Sequence, residues 1–244
     1  MKKLTLSLYL TVFVLSAFSG EYLPPELRAR KLKSAALLKL DSPQWQKIRP
    51  LPLYKRADLA GDFQKMPVEK GSVKLLFSGK TLYVRGELYD SEILSEPVAG
   101  TTPFLGAGDT FLLILSPLSE TGYFDIQFTP DGRVYCQYVL GPGTNRLQSA
   151  KLPVKTKITV KPRINGKIND NKKDVSWEIL AAVPLDELLK ELTAAGFDVK
   201  PGAGWSIMAA RKNYSSALER VEDSGYPQPV RDFYRCRHIH ARLK

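Results

Sequence analysis

Residues 73–90 read VKLLFSGKTLYVRGELYD, and this stretch decides the fold class. Val73, Leu75 and Phe77 recur at a spacing of two, Ser78-Gly79-Lys80 carries a turn signal, and Leu82, Val84 and Leu88 resume the alternation on a return strand. Tyr83, Arg85, Glu87 and Tyr89 fall on the opposite face. An apolar row backed by an amphipathic and charged row describes an antiparallel hairpin with one side in a core and the other wet.

The same period continues toward the C-terminus. Residues 110–115 form a short, almost wholly apolar run of the kind buried on both faces. Residues 123–129 and 133–139 make a second hairpin through Pro130-Asp131-Gly132, where proline presets one φ and glycine accepts a positive one. Phe124, Ile126 and Phe128 are expected to face the core across from Val134, Cys136 and Tyr138. Strands are predicted over 158–164, 175–183, 202–211 and, as a closing strand, 234–243. One helix stands out. Pro184 suits its first turn, Leu185, Leu188, Leu189 and Leu192 have helical spacing, and Gly196 ends it. The pattern is all-β: an antiparallel β-sandwich, jelly-roll-like or immunoglobulin-like, with one short helix near residues 184–195.

Upstream of the first hairpin, Trp45, Ile48, Leu51 and Leu53 lie in a proline-interrupted segment that suits an edge strand. Residues 20–44 read as a basic N-terminal extension with, at most, a short basic helix. Residues 1–19 have the form of a signal peptide, with Lys2 and Lys3 before an apolar run and small residues Ala17 and Ser19 near its end. The expected layout is therefore a 1–19 signal peptide, a 20–44 extension and a 45–244 sandwich. The mature chain is expected to lack a transmembrane segment and to be secreted, periplasmic or on the cell surface.

The formal charge of the chain is +11, which becomes +9 on losing Lys2 and Lys3. Such a charge favours anionic partners without specifying one. Basic residues concentrate between positions 28 and 39 and again between 151 and 173, where the lysines largely alternate along a strand and describe a solvated face. No nucleic-acid-binding module accompanies the charge, so nucleic acid is not an expected partner. Cys136 and Cys236 are the only cysteines. After export they can form one disulfide or remain two buried thiols, since sequence does not say whether they meet.

Several segments carry a family resemblance: SPQWQKI at 42–48, KTLYVRGELYDSEI at 80–93, GAGDTFLLILSP at 106–117, YFDIQFTPDGRVY at 123–135, VSWEILAAVPLDEL at 175–188 and GAGWSIMAARKN at 202–213. In this order and spacing the chain resembles secreted β-sandwich domains related to family-nine carbohydrate-binding modules. That resemblance implies a sandwich fold, glycan or polysaccharide binding, and room for structural calcium, to which Asp90, Glu92, Asp109 and Asp125 are candidate oxygen ligands. The chain also departs from the family. Leu112 stands where the family commonly has an acid, and Trp177 and Trp205 lie inside apolar strand patterns rather than on loops that would clamp a sugar.

Sugar sites combine flat aromatic faces with planar polar groups. Candidate ligand-binding residues at strand ends and loops are Tyr89, Asp90, Arg211, Asn213, Tyr214 and Tyr226; of these, Asp90 and Arg211 match family positions. The same residues admit a scaffolding role, with Tyr89 covering a sheet face, Asp90 capping a loop and Arg211 packed against a carboxylate. His238 and His240 share one face of the closing strand but have no third metal ligand to name. Asn213-Tyr214-Ser215 matches a glycosylation acceptor. No nucleophile elbow, phosphate loop or dinucleotide fingerprint is present, so no catalytic residues are assigned. The expected function is noncatalytic carbohydrate binding, with an acidic polysaccharide among the candidate ligands. The alternatives are a cell-surface interaction domain that has lost the sugar site and a secreted glycoside hydrolase, whose two carboxylates sequence does not pick out.

Overall fold

The computed structural model describes residues 34–57, 64–96, 108–119, 122–140, 151–170, 172–199, 204–215, 218, 221–226 and 228–229. The expected signal peptide, the 234–243 strand, His238, His240 and Cys236 lie outside the described residues.

The 73–90 stretch forms the expected hairpin, β3 (Gly71–Ser78) and β4 (Thr81–Tyr89), with Ser78 paired to Thr81 across a two-residue turn. Gly79 in that turn has φ +64, a conformation that costs glycine little and other residues more. Around the hairpin, β1 (Leu51–Pro52), β3, β4, β10 (Ser176–Pro184) and β9 (Thr159–Asn165) form one five-stranded sheet in that order. A seven-stranded sheet has the order β2 (Tyr54–Lys55), β12 (Glu222–Tyr226), β11 (Trp205–Asn213), β5 (Thr110–Pro117), β6 (Tyr123–Phe128), β7 (Val134–Val139) and β8 (Lys151–Pro153). Every strand pairing is antiparallel. The all-β two-sheet expectation is met.

Inward-facing residues of the two sheets share one core. Val73, Leu75, Phe77, Leu82, Val84 and Leu88 of the hairpin join Phe111, Leu113 and Leu115 of β5, Trp177 and Ile179 of β10, and Trp205 and Ile207 of β11. Each large apolar side chain withdrawn in this way stabilises the fold by about 1.5–3 kcal/mol before entropy is counted. The second hairpin has the anticipated register, with Phe124 opposite Tyr138, Ile126 opposite Cys136 and Phe128 opposite Val134. Phe124 packs its ring 4.9 Å from Tyr138 and 6.1 Å from Trp205, centroid to centroid. The predicted helix is α2 (Leu185–Ala194), following a four-residue α1 (Ser34–Leu37). It buries Leu185, Leu188 and Leu192, and places Asp186 and Glu187 in its first turn, where the helix dipole favours acids. Among the described residues no helix is long and apolar enough to cross a membrane.

The reading of a wholly wet outer face on the first hairpin is corrected. Tyr83 is buried and joins Leu76, Leu180 and Ala182 in a second apolar cluster, covered by Leu37 and Trp45 from the N-terminal segment. Trp45 sits in a 3-10 turn (Pro43–Lys47), not in an edge strand, and its Nε1 donates to the Leu37 carbonyl at 3.3 Å. Two prolines nearby, Pro43 and Pro50, bracket the turn and leave only Leu51–Pro52 and Tyr54–Lys55 for edge pairing. The expected basic extension at 20–44 therefore contributes, at its described end, a clasp on the sheet.

Candidate functional site

β4 and β11 end side by side at one end of the sandwich and bring three of the expected site residues together. The Arg211 guanidinium donates from Nη2 to Asp90 Oδ2 and to Asn213 Oδ1, both at 2.7 Å, and from Nη1 to the Tyr89 carbonyl at 2.7 Å. Trp177 Nε1 donates to the same Asp90 oxygen at 3.1 Å. Asn213 Nδ2 donates to Glu69, which also accepts from the Ser91 amide at 2.8 Å. Asp109 accepts from the Tyr214 and Leu94 amides at 2.9 and 2.7 Å.

Asp90, Asp109, Arg211 and Asn213 are each 2 % exposed or less. Burial disfavours the charged form of a carboxyl, and Asp90 is pushed up to about 8 by it, with Arg211 opposing and the neighbouring Asp109 adding to the rise. Burial likewise raises Asp109, with Arg211 and the Leu94 and Tyr214 amides opposing. The arrangement is chemically a strand-end lock: it satisfies backbone and side-chain groups of β4, β10 and β11 at once.

Asp90, Arg211 and Asn213 are thus buried and bonded largely to one another and to Glu69, Trp177 and the Tyr89 carbonyl, with Arg211 Nε left without a partner among the described residues. Burial corrects the loop placement of Tyr226, which ends β12 opposite Ala209 and is buried in the main core. Tyr89 is 51 % exposed and Tyr214 half-buried. A hydroxyl contact of 3.1 Å between Ser91 and Ser215 holds the two chain segments together just beyond these tyrosines. Among the described residues no group of three His, Cys, Asp or Glu side chains is placed to hold a metal ion. Asp125, one of the four candidate calcium ligands, accepts instead from the Gln127 and Gln137 amides.

Strand register places polar partners around Tyr89 that no sequence pattern had singled out. On the outer face of the five-stranded sheet, Tyr89 lies opposite Ser176, which lies opposite Asn165. The next row on the same face is Glu87, Glu178 and Arg163. Glu178 is clamped between Arg85, whose Nη2 donates at 2.9 Å, and Arg163, whose Nε donates at 3.0 Å. Arg163 also pairs with Asp41 at 2.9 Å. Through Asp41 the clasp reaches the Arg163 end of this row, while Tyr89 stays exposed. This part of the face offers one exposed ring beside fixed carboxylate, guanidinium, hydroxyl and carboxamide groups. Charges spaced by two along β4 were visible in the sequence, but their cross-strand partners depend on a pairing that sequence does not state.

No protein-family model and no curated protein matches the chain. Solved structures do. The crystal structure of a putative carbohydrate-binding protein from Bacteroides uniformis is similar over 89 % of this chain and 97 % of its own, with a TM-score of 0.62 at 12 % identity. A family 9 carbohydrate-binding module from Caldicellulosiruptor kristjanssonii, in complex with cellotriose, aligns over 82 % of this chain and 83 % of its own, with a TM-score of 0.49 and the same identity. At this identity the first likeness establishes a shared β-sandwich fold.

Proposed function

We propose that the protein is an exported, noncatalytic carbohydrate-binding sandwich that takes a sugar ring on the outer face of its five-stranded sheet, against Tyr89. The observation that carries this reading is the half-exposed Tyr89 ring, set by register beside Ser176, Asn165 and the Glu87–Glu178–Arg163 row. A phenol face covers the apolar C–H surface of a pyranose, while planar polar groups beside it take hydroxyls. The buried Arg211–Asp90 pair acts behind the surface, fixing the Tyr89 backbone rather than touching the ligand. The fold shared with the Bacteroides uniformis structure, described as a putative carbohydrate-binding protein, supports the reading.

The test is titration calorimetry of the mature chain with oligosaccharides chosen from a glycan array, in parallel with Tyr89→Ala. The expected result is measurable binding that falls at least about tenfold in Tyr89→Ala at unchanged melting temperature, the scale of one lost stacking contact. Equal affinity in the variant would remove Tyr89 from the site.

One observation favours a second reading, a cell-surface interaction domain without a sugar site. Tyr226, Trp45, Trp177 and Trp205 are all buried, which leaves Tyr89 without a described aromatic partner across a cleft. No binding to any neutral or acidic glycan, at low and at physiological salt, would decide for that reading.

A further inference from the structure

The basic run after residue 150 occupies a defined place in the fold. β8 is an edge of the seven-stranded sheet and β9 an edge of the five-stranded sheet, so residues 151–167 pass along one flank from one sheet to the other. Residues alternate outward and inward from 151 to 161: Lys151, Lys155, Lys157 and Lys161 are exposed, as are Arg163 and Lys167 beyond them, whereas Leu152, Val154, Ile158, Val160 and Ile164 are more buried. At about 3.3 Å per residue the segment reaches at most about 50 Å.

A solvated face would carry carboxylates among its lysines. Here the nearby acids are engaged elsewhere. Glu191 accepts from the Lys155 amide at 2.8 Å and from Thr156, Glu187 pairs with Lys190 at 2.7 Å, and Asp41 and Glu178 are held by Arg163. Among the described residues the ammonium groups of Lys151, Lys155, Lys157, Lys161 and Lys167 enter no ion pair. Two open grooves border the row. One, of about 720 Å³, is lined by Lys39, Lys161 and Arg163 together with Leu40, Pro43 and Asp41, which is paired with Arg163. The other, of about 470 Å³, is lined by Lys155, Lys157 and Lys190 together with Glu187 and Glu191, whose carboxylates are already engaged by Lys190, the Lys155 amide and Thr156.

We propose that this flank is a second binding surface, taking the backbone of an anionic polysaccharide whose carboxylate or sulfate groups pair with the outward lysines. The choice of a polysaccharide over other polyanions rests on the carbohydrate-binding reading above. Two features of the flank agree with it. Residues 151–176 contain no aromatic side chain on which unstacked bases could lie. No large apolar side chain is exposed between 151 and 167, as insertion into a membrane surface would require.

The experiment measures binding of the mature chain to polygalacturonate, a sulfated dextran, uncharged dextran, polyphosphate and single-stranded DNA at two salt concentrations. It compares wild type with a Lys155→Glu, Lys157→Glu, Lys161→Glu triple variant, the corresponding triple Gln variant and Tyr89→Ala. We expect salt-sensitive binding to the acidic polysaccharides that falls about tenfold or more in the Glu triple variant and less in the Gln variant, and that Tyr89→Ala leaves intact. Undiminished binding by the Glu variant overturns the proposal. So does equal affinity for polyphosphate or DNA, which would make the flank a general polyanion surface. Loss of neutral-glycan binding alone bears on the Tyr89 site and not on this one, so the two readings fail separately.

Discussion

Arg211 and Asp90 meet at 2.7 Å with neither side chain exposed to solvent. Removing one partner of such a pair leaves a buried charge without its counterpart, which typically costs about 3–5 kcal/mol. Arg211→Met should therefore lower the chemical-denaturation midpoint sharply, and it also frees the Tyr89 carbonyl. A midpoint within error of wild type would show that the end of the sandwich tolerates the loss.

The burial of Asp90 sets a pH dependence whose sign follows from the direction of its shift. A carboxyl raised from 3.8 to about 8 holds a proton in the folded chain that the unfolded chain has released, so stability declines as pH rises across that window. One proton limits the slope to about 1.4 kcal/mol per pH unit. Asp90→Asn keeps acceptor and shape without the titration. Its melting temperature should vary less with pH between those limits, and a profile parallel to wild type would locate the titrating group elsewhere.

Trp45→Ala should destabilise by about 3–5 kcal/mol, the usual cost of truncating a buried aromatic. It should also raise binding of a hydrophobic dye, because Tyr83, Leu76 and Leu180 lose their cover. Dye binding unchanged from wild type would mean that the clasp closes without its indole.

Asn213 lies in an acceptor tripeptide, but it is 1 % exposed and its amide is bonded to Glu69. Expressed in a host that glycosylates such sites, the folded secreted fraction should carry no glycan there. Intact mass before and after deglycosylation checks this directly.

The sandwich was legible because its main strands alternate. Val73 to Leu88, Phe124 to Tyr138 and Trp177 to Val183 each carry a period of two strong enough to set face and partner. β12 was not legible: EDSGY has no apolar alternation, and it becomes a strand only because Ala209 to Asn213 presents a ladder to pair with. For the same reason Tyr226 read as a loop residue. The burial of Tyr83 was equally hidden, since its cover comes from Leu37 and Trp45, far away in sequence. At the strand ends, Asp90 and Arg211 could be selected by residue type alone. Whether they face a ligand or each other depends on Glu69, Asp109 and Trp177 arriving from three other segments.

The clasp has a consequence for how the chain is made. Leu37 and Trp45 leave the ribosome before Leu180 and Ala182, half of the surface they cover, which lie in β10. Until β10 has docked beside β4, the segment that carries Leu37 and Trp45 has only Leu76 and Tyr83 to rest on. The first described part of the molecule to be synthesised is thus among the last to find its place, and through that interval it is a natural hold for a chaperone.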